Sequence, residues 1–417
     1  MMKLYKYQEE GVDFLRANTR CILGDQMGLG KTPQALMALE PDDYPVVVVC
    51  PASVRMVWQQ EAEKWLNGVS TQAIRTGKDI VTGADITIIS YSLFGTITLK
   101  RPQTLIVDEA HYCQSRSTLR TQRIAAASKG LTLWLLTGTP MWSRPRSLYP
   151  LLAMVGGWKK TYKEFAMKFC AGGYMMKPIR GRGMTRVWDD SGSSNLGELA
   201  LLVQPYILRR LKSDVLKELP PKTRQIITVK HRLSKEEKEM SGFDFKSLEG
   251  GVIPAGPIAT AVKETALWKM KSINQHIVDL MESVDKIIVF AWNREVMTRI
   301  QNANKRYGIV RIDGSTKMDD RTAAVHSFQN EYKTRIFLGQ TVAAGTGITL
   351  TAASVVLFVQ PSWTPAELEQ AEDRAHRIGQ KDNVLVQYLV TEGSIEQVML
   401  RSILAKMGTA KRILAKS

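Results

Sequence analysis

The chain has 417 residues, 44% of them hydrophobic and 23% charged, which is an ordinary globular composition and more chain than one hydrophobic core usually fills. No apolar run approaches the roughly 18 residues of a membrane span, so a membrane-embedded protein is excluded and a soluble protein with no membrane partner is expected. The excess of 57 Lys and Arg over 40 Asp and Glu, a net charge of +17, favours a polyanionic partner such as nucleic acid.

Cysteine usage indicates buried thiols and neither metal nor redox chemistry. Cys21, Cys50, Cys113 and Cys170 lie far apart, with no C-x-x-C pair to suggest a zinc site or a redox dithiol. Because Cys21 and Cys50 lie in apolar runs, we expect both thiols to be buried. This usage suits a reducing compartment.

Short runs rich in β-branched residues alternate with helix-length amphipathic segments in the first part of the chain. After CILG at 21–24, such runs occur at 46–50, 86–90, 104–109 and 131–139. Alternation of this kind is typical of a parallel sheet with crossover helices, and it predicts an α/β fold.

A glycine-rich stretch, DQMGLGKT at 25–32, lies between the first of these runs and the helix-like PQALMALE. Backbone N–H groups in such a turn bind phosphates, with help from the helix N-terminus. Lys31 would reach the β and γ phosphates of ATP, and the Thr32 hydroxyl would hold Mg²⁺. The pattern G-x-x-x-x-G-K-[ST] is incomplete, because Asp25 replaces its first glycine. The predicted nucleotide-binding residues of this loop are Asp25, Met27, Gly28, Gly30, Lys31 and Thr32.

The sequence DEAH at 108–111 closes the run TLIV. At the carboxyl end of a strand, Asp108 can complete the Mg²⁺ shell and Glu109 can polarise the attacking water. Acidic residues are also common at helix N-termini, but the glycine loop in the same lobe favours nucleotide hydrolysis. In LLTGTP at 135–140, Thr137 and Thr139 either hydrogen-bond near these acids or belong to a plain turn.

The middle of the chain is basic and less regular. Residues 156–232 carry 16 Lys and Arg against 6 Asp and Glu. Within them, the Gly-, Ser- and Arg-rich stretch 172–194 predicts an irregular or hairpin-like excursion, with DNA-binding candidates Lys177, Arg180 and Arg182. Residues 234–282 have a helical pattern, which begins with a possible capping box of Ser234 and Glu237.

The α/β pattern resumes with apolar runs at 286–290, 308–314, 334–339, 354–360 and 384–390. Between the last two lies QAEDRAHRIGQ at 370–380. On a helix, Arg374 and Arg377 would project from one side about a turn apart, either as a solvated charged face or as a paired cationic site.

Taken in order, these motifs resemble those of the superfamily-two helicase-like ATPases, and they continue with IDGS at 312–315, GTGITL at 345–350 and QAEDRAHRIGQ. The linker LRRLKSDVLKELPPK at 208–222 narrows the resemblance to the Snf family of double-stranded-DNA translocases. The resemblance covers residues 5 to about 400. It implies two RecA-like lobes with central parallel sheets and helical insertions. The predicted divisions are a first lobe at 1–155, a basic insertion and linker at 156–232, a helical protrusion at 233–282 and a second lobe at 283–417.

WDDSGSSNLGELALL at 188–202 and SRPRSLYPLL at 143–152 resemble the branch that contains the HARP-type annealing helicases. Their extra recognition modules have no counterpart in these residues, so fork specificity is not carried over. We expect a bare, monomeric motor, bacterial or phage-encoded and cytoplasmic, or nuclear in a eukaryote. Its partner would be duplex or forked DNA.

The resemblance also assigns roles to single residues. Gln8 would hydrogen-bond the adenine edge. Gly345 and Gly347 would approach nucleotide and DNA, and Arg374 and Arg377 would be arginine fingers that stabilise the charge on the γ-phosphoryl group. The implied DNA contacts, each with helix capping or core packing as the alternative, are Ser53, Ser90, Ser315 and Trp363.

Three departures from the family pattern put DNA coupling in doubt more than hydrolysis: Gln26, Thr346 and Thr364. Two other functions are compatible with the sequence, a strand-separating helicase on RNA or DNA and a non-catalytic nucleic-acid-binding module. The intact Lys31, Asp108 and Glu109 argue against the second of these.

Overall fold

The computed structural model describes residues 3–138, 144–179, 183–229, 257–344, 347–362 and 364–414. The chain forms two compact units, Met1–Val215 with Met407–Ser417 and Leu216–Lys406. Each unit is built on one parallel sheet with helices, so the predicted α/β class with two lobes is confirmed.

The first unit contains a seven-stranded sheet in the order β3-β4-β2-β5-β6-β1-β9 and a separate two-stranded hairpin, β7-β8. Its strands are β1 (Arg20–Leu23), β2 (Val46–Cys50), β3 (Thr71–Ala73), β4 (Ile86–Ser90), β5 (Thr104–Asp108), β6 (Thr132–Leu136), β7 (Gly173–Ile179), β8 (Gly183–Asp189) and β9 (Ile207–Leu208). Its helices are α1 (Lys6–Ala17), α2 (Lys31–Met37), α3 (Arg55–Trp65), α4 (Leu119–Ala127), α5 (Tyr149–Met154), α6 (Tyr162–Phe169), α7 (Leu196–Val203) and α8 (Lys212–Val215).

Strand β2 is apolar along its length because both faces of the sheet are covered there. In β2, Val47 and Val49 belong to the hydrophobic cluster on one face, and Val46 and Val48 belong to the cluster on the other. Successive side chains of a strand point to opposite faces, so a doubly covered strand needs apolar residues at every position. The continuous run VVVVC satisfies this requirement.

The order of the central strands sets the position of the candidate site. β1, β6 and β5 are direct neighbours and run parallel. Their carboxyl ends therefore meet at one edge of the sheet, where parallel α/β sheets place their ligand sites. The glycine-rich loop, the DEAH motif and the TGTP motif each begin at this edge.

The basic stretch 156–232 is divided between the two units. Its first part carries α6, the hairpin and α7, and it returns to the first sheet through β9, which pairs with β1. Its last part begins the second unit, where the strand Lys222–Val229 pairs along its full length with Val384–Thr391. The predicted excursion at 172–194 contains the antiparallel hairpin.

The second unit has a six-stranded parallel sheet in the order β10-β15-β14-β11-β13-β12. Its strands are β10 (Lys222–Val229), β11 (Ile287–Ala291), β12 (Ile309–Ile312), β13 (Ile336–Gln340), β14 (Val355–Phe358) and β15 (Val384–Thr391). The remaining helices among the described residues are α9 (Pro257–Trp268), α10 (Met270–Ser283), α11 (Arg294–Ala303), α12 (Met318–Asn330), α13 (Thr341–Ala344), α14 (Pro365–Glu372) and α15 (Ile395–Leu414). The helical pattern is thus observed from residue 257, and the capping box Ser234–Glu237 lies outside the described residues.

The four cysteines are free and buried, which confirms the expectation for Cys21 and Cys50. Burial raises the pKa of the Cys21 thiol to about 12. Among the described helices, none combines the length and the apolar character that crossing a membrane requires.

Candidate active site

The glycine-rich loop is a tight turn between β1 and α2. Gly28 and Gly30 have φ of 83° and 73°, a region that glycine enters without steric cost. A β-carbon at Gly30 would also lie 2.4 Å from Gln8 Nε2. Because α2 begins at Lys31, Thr32 lies in its first turn, where helix N–H groups have no intrahelical acceptor and can bind an anion.

Asp25 is fully buried, and Arg210 binds its carboxylate from the segment that follows β9. The Arg210 Nε donates to Asp25 Oδ1 at 3.0 Å, and Nη2 donates to Oδ2 at 2.5 Å. The Arg210 backbone N–H also donates to Oδ1, at 3.1 Å. Gln34 of α2 completes the network, since its Nε2 donates to Oδ2 at 3.2 Å and its Oε1 accepts from Arg210. A glycine at position 25 could not form this ion pair.

Further contacts attach the same segment to the loop. The Gly24 N–H donates to Leu208 O at 2.7 Å, and the Gln26 N–H donates to Arg210 O at 3.0 Å. Gln26 Oε1 accepts from the Lys212 N–H at 2.8 Å. An amide thus serves at position 26 as a structural acceptor, which gives this departure from the family pattern a local role.

Lys31 lies among carboxylates at the mouth of the loop. Its Nζ donates to the Asp25 carbonyl oxygen at 2.8 Å. Burial lowers the pKa of Lys31, and the carboxylates of Glu109, Asp25 and Asp108 oppose that shift. A cation held in this way can reach a phosphate that enters the loop.

Asp108 is the last residue of β5, and its carboxylate is held in place. Oδ2 accepts from Trp58 Nε1 at 2.8 Å, and Oδ1 accepts from the Glu109 N–H at 2.9 Å. Burial and the neighbouring Glu109 carboxylate raise the pKa of Asp108 to about 6, while the Trp58 hydrogen bond and Lys31 oppose the rise. Mg²⁺ binds the ionised form of a carboxylate, so a bound ion would lower this pKa again.

Glu109 has a left-handed backbone conformation, with φ of 51°, that turns the chain sharply after the strand. Non-glycine residues rarely adopt this conformation, and it is concentrated at functional sites. His111 Nδ1 lies 3.2 Å from Glu109 Oε2 and 3.3 Å from Thr137 Oγ1. The TGTP motif therefore contacts the DEAH motif through Thr137 and His111, two residues beyond Glu109, whereas Thr139 lies outside the described residues.

Gly138 lets the TGTP turn approach the glycine-rich loop. A β-carbon at this position would lie 2.4 Å from Met27 Cγ and 3.6 Å from Lys31 Nζ. Arg209 spans the same gap, since its Nη1 donates to the carbonyls of Gly24 at 3.1 Å and Gly138 at 3.2 Å. Three loops from neighbouring strands therefore form one site.

Gln8 lies beside this site, and its side-chain amide is hydrogen-bonded to the start of α1 and to the glycine loop. Its Oε1 accepts from the Tyr5 N–H at 2.9 Å, and its Nε2 donates to Leu29 O at 3.1 Å. An adenine edge would therefore have to compete with these two bonds.

In the second unit, Arg374 and Arg377 converge on one carbonyl group. α14 ends at Glu372, so both arginines lie in the turn beyond it and not on a helix. The chain turns after Glu372, and Nη1 of each arginine donates to Ile348 O, at 3.1 Å and 3.2 Å. Gly347, with φ of 73°, precedes that carbonyl in the loop predicted to approach the nucleotide.

The stretch QAEDRAHRIGQ is mostly buried, which rules out the solvated charged face. Glu372 accepts from Arg224 at 2.8 and 2.6 Å and from Lys222 at 2.7 Å, and Tyr388 also donates to it. Although burial opposes it, the charges of Lys222 and Arg224 lower the pKa of Glu372 to about 2. His376 Nε2 lies 2.8 Å from Pro220 O. This network fixes the turn that carries the two arginines.

The hydroxyls proposed as DNA contacts lie at the ends of strands or in the turns that follow them. The Ser90 hydroxyl is 3.0 Å from that of Ser92, Ser315 Oγ donates to Asp313 at 2.6 Å, and Ser53 lies in a 3-10 turn after β2. Ser90 lines an open groove of about 380 Å³ at the carboxyl ends of β2 and β4, together with Pro51, Ala52, Tyr91, Ser92, Tyr112, Leu119, Arg120 and Arg123. The two arginines of the groove were not predicted.

Several predicted residues cannot be placed in the site. Gly345, Thr346, Trp363, Arg180 and Arg182 lie outside the described residues, and of Lys177 only the backbone is described, in β7. Their proposed roles stay predictions. Thr364 is described, and its side chain caps α14 by accepting from the Glu367 N–H at 3.2 Å.

Sequence reasoning missed the residues that support the site. Arg210, Trp58 and Arg224 each contact a motif residue from a distant part of the chain, and no local spacing indicates such contacts. The one signal in the sequence was the pair of adjacent arginines in LRRLK, Arg209 and Arg210, which indicated only the family resemblance.

The SNF2-related domain family matches residues 7–247, and the helicase conserved C-terminal domain family matches residues 268–379. The chain is 33% identical over 427 residues to the mouse protein "DNA annealing helicase and endonuclease ZRANB3", and the match covers 95% of this chain and 39% of that protein. It is 35% identical over 428 residues to the Xenopus laevis "SWI/SNF-related matrix-associated actin-dependent regulator of chromatin subfamily A-like protein 1", with 97% and 43% covered. The chain thus spans less than half the length of these two relatives.

One solved structure, "Sulfolobus solfataricus SWI2/SNF2 ATPase core in complex with dsDNA", is similar at a TM-score of 0.46 and 24% identity. That similarity covers 100% of this chain and 94% of that one.

We expect Arg210→Met to lower the free energy of unfolding by about 3–5 kcal/mol, because it leaves the buried Asp25 carboxylate without its cation. Urea unfolding at neutral pH measures the change. The matched control is Arg16→Met, which removes an exposed ion pair to Glu40 and should cost less than about 1 kcal/mol. Equal losses in the two variants would show that the buried pair does not hold the loop.

The Glu372 cluster should give the second unit an acid-sensitive stability. The folded-state pKa of Glu372 is lowered to about 2, so its contribution is complete above the ordinary glutamate pKa and is lost as the pH falls from about 4.5 towards 2. The loss corresponds to about 3 kcal/mol. Denaturant unfolding across this pH range should show the loss in the native chain and its absence in Glu372→Gln.

Glu282→Gln, at an exposed position of α10, serves as the control and should keep the native pH dependence. If Glu372→Gln also kept it, the carboxylate would not be the group that titrates.

Proposed function

This chain belongs to the SNF2-related family of DNA-dependent ATPases, and from that premise we propose that it couples ATP hydrolysis to movement along duplex DNA. The observation that carries the proposal is the meeting of Lys31, Asp108 and Glu109 at one edge of the first sheet, beside a glycine loop shaped to bind phosphates. Such a site provides positioning and charge stabilisation, which is what phosphoryl transfer to water requires.

In the proposed site, the N–H groups of the glycine loop and Lys31 bind the phosphates. The Thr32 hydroxyl and the Asp108 carboxylate are oxygen donors of the kind that Mg²⁺ prefers, and they would hold the ion that neutralises phosphate charge. Glu109 orients the attacking water, and its contact with His111 fixes the direction of its carboxylate. Gln8 is proposed to bind adenine after exchanging its present hydrogen bonds.

DNA is the proposed track. The net charge of +17 attracts a polyanion, and the ten-charge excess of residues 156–232 concentrates that attraction. Hydroxyls and arginines in the groove beside Ser90 are suited to bind phosphate oxygens. Such contacts position a protein on DNA but do not read its sequence. The proposed backbone contacts are Ser53, Ser90, Ser315, Trp363, Lys177, Arg180 and Arg182.

Remodelling of DNA structures is the proposed outcome of that movement. One relative is named as a DNA annealing helicase and another as a regulator of chromatin. By extension, this chain would act on forks, annealable strands or DNA-bound proteins, as a monomer.

Arg374 and Arg377 are proposed as arginine fingers, which would stabilise the charge that develops on the γ-phosphoryl group. Both side chains donate through Nη1 to the Ile348 carbonyl, and Arg374 Nε also donates to Gln370 O at 3.0 Å. These contacts support the proposal because they bring two guanidinium groups, whose planar shape suits phosphate oxygens, to the loop that contains Gly347.

Duplex DNA should raise the ATP turnover of the full chain severalfold, and Lys31→Ala should abolish turnover with or without DNA. Loss of the lysine removes the cation that binds the β and γ phosphates. A steady-state phosphate-release assay at fixed salt tests this expectation, with the exposed Lys78→Ala as the matched control. The proposed coupling would be wrong if no nucleic acid changed the rate.

Replacing Arg377 should mainly lower kcat. We expect Arg377→Ala to reduce kcat by about 10³-fold with little change in the KM for ATP, because the guanidinium acts on charge that develops during hydrolysis. Lysine should not restore the rate, since it lacks the planar fork. Exposed Arg299→Ala is the control. An unchanged kcat in Arg377→Ala would remove this residue from the reaction.

A further inference from the structure

The hairpin β7-β8 exposes an apolar face that the ATPase site does not use. Tyr174 pairs with Trp188 and Met176 with Arg186, and Met184 lies two residues before Arg186 in β8. Because alternate residues of a strand share a face, these five side chains lie on the same side of the ribbon. We define the hairpin face by them: Tyr174, Met176, Met184, Arg186 and Trp188.

Three apolar members of the hairpin face are open to solvent. Tyr174 is 55% exposed, Met176 56% and Met184 58%. Single exposed apolar residues are ordinary, but a contiguous group of them indicates a surface that binds a partner.

The hairpin face combines aromatic rings with cationic groups. The Arg186 guanidinium carbon lies 4.2 Å from the centre of the Tyr174 ring, and that ring packs edge-on against Trp188 with centroids 5.2 Å apart. Lys163 Nζ of α6 lies 5.9 Å from the Trp188 ring. Aromatic rings and guanidinium planes are the surfaces on which unpaired nucleobases stack.

The charge of the hairpin selects an anionic partner. Residues 173–188 contain four basic residues and neither Asp nor Glu. Asp190, just beyond β8, is occupied by Arg146 at 3.0 Å, by the Tyr162 hydroxyl at 2.6 Å and by Trp188 Nε1 at 3.3 Å. Through these bonds and the packing of Trp188 on the core of the first unit, the hairpin is firmly attached at its base.

We propose that the hairpin face binds unpaired bases of DNA at a junction between single and double strands. Intact duplex offers phosphates but keeps the faces of its bases stacked on each other, whereas an unpaired strand offers both phosphates and free base faces. Only the unpaired strand matches a surface that is both cationic and apolar. The inference rests on the proposed function, because it assumes that DNA is the partner, and it names the DNA structure that this part of the chain recognises.

The test is nucleotide-free binding of the full chain to a forked DNA and to a blunt duplex of the same sequence. The fork carries a fluorescent 2-aminopurine at its first unpaired position, so that stacking on a ring quenches its emission. We expect the native chain to prefer the fork. The double variant Tyr174→Ser/Met176→Ser should bind the fork about tenfold more weakly, the size expected for the loss of one base stack, and should lose the quenching. Its duplex affinity should stay native.

The matched control is Ile80→Ser/Tyr332→Ser, which removes two exposed apolar side chains elsewhere and should bind the fork as the native chain does. Trp188 is retained so that the base of the hairpin stays packed, and an unchanged thermal unfolding midpoint confirms folding. Native fork affinity in the hairpin variant, or no preference for the fork in the native chain, would overturn the inference. Because no ATP is hydrolysed here, these outcomes are separate from a failure of DNA-stimulated turnover.

Discussion

The ion pair between Asp25 and Arg210 is the constraint on which the first unit depends. A buried carboxylate is costly unless a cation and hydrogen bonds compensate it, and Arg210 supplies both from a segment 185 residues away. The pair fixes the start of the glycine loop, and through the Asp25 carbonyl it also positions Lys31. The phosphate-binding geometry is therefore a property of the whole unit and not of the loop alone.

The second unit uses the same physical device. Glu372 is buried beneath the turn that carries Arg374 and Arg377, and two basic residues of β10 neutralise it. In both units a buried motif carboxylate, held by basic residues from a distant part of the chain, acts as a scaffold for the segment that carries the motif cations. Burial, as well as reactivity, therefore restricts which residues these motif positions can hold.

Periodicity and motif order were sufficient to predict most strands of the two parallel sheets and the three loops of the candidate site, but not β3, β9 or β10. The runs at 46–50, 86–90 and 104–109 became strands because alternation and β-branching are local properties. Roles that depend on tertiary partners could not be read in this way. Asp25 was predicted to bind nucleotide and in the structure holds Arg210, and the turn that carries Arg374 and Arg377 is set by the buried Glu372, whose partners lie in β10.

Hydrogen exchange of the loop amides, residues 24–32, tests most directly whether this pair orders the phosphate site. The measurement compares the full chain with and without Mg²⁺ and a non-hydrolysable ATP analogue. In the native chain, nucleotide should slow exchange across the loop, and in Arg210→Met this protection should largely disappear while amides of the second unit exchange as before. Equal protection in both proteins would contradict the account.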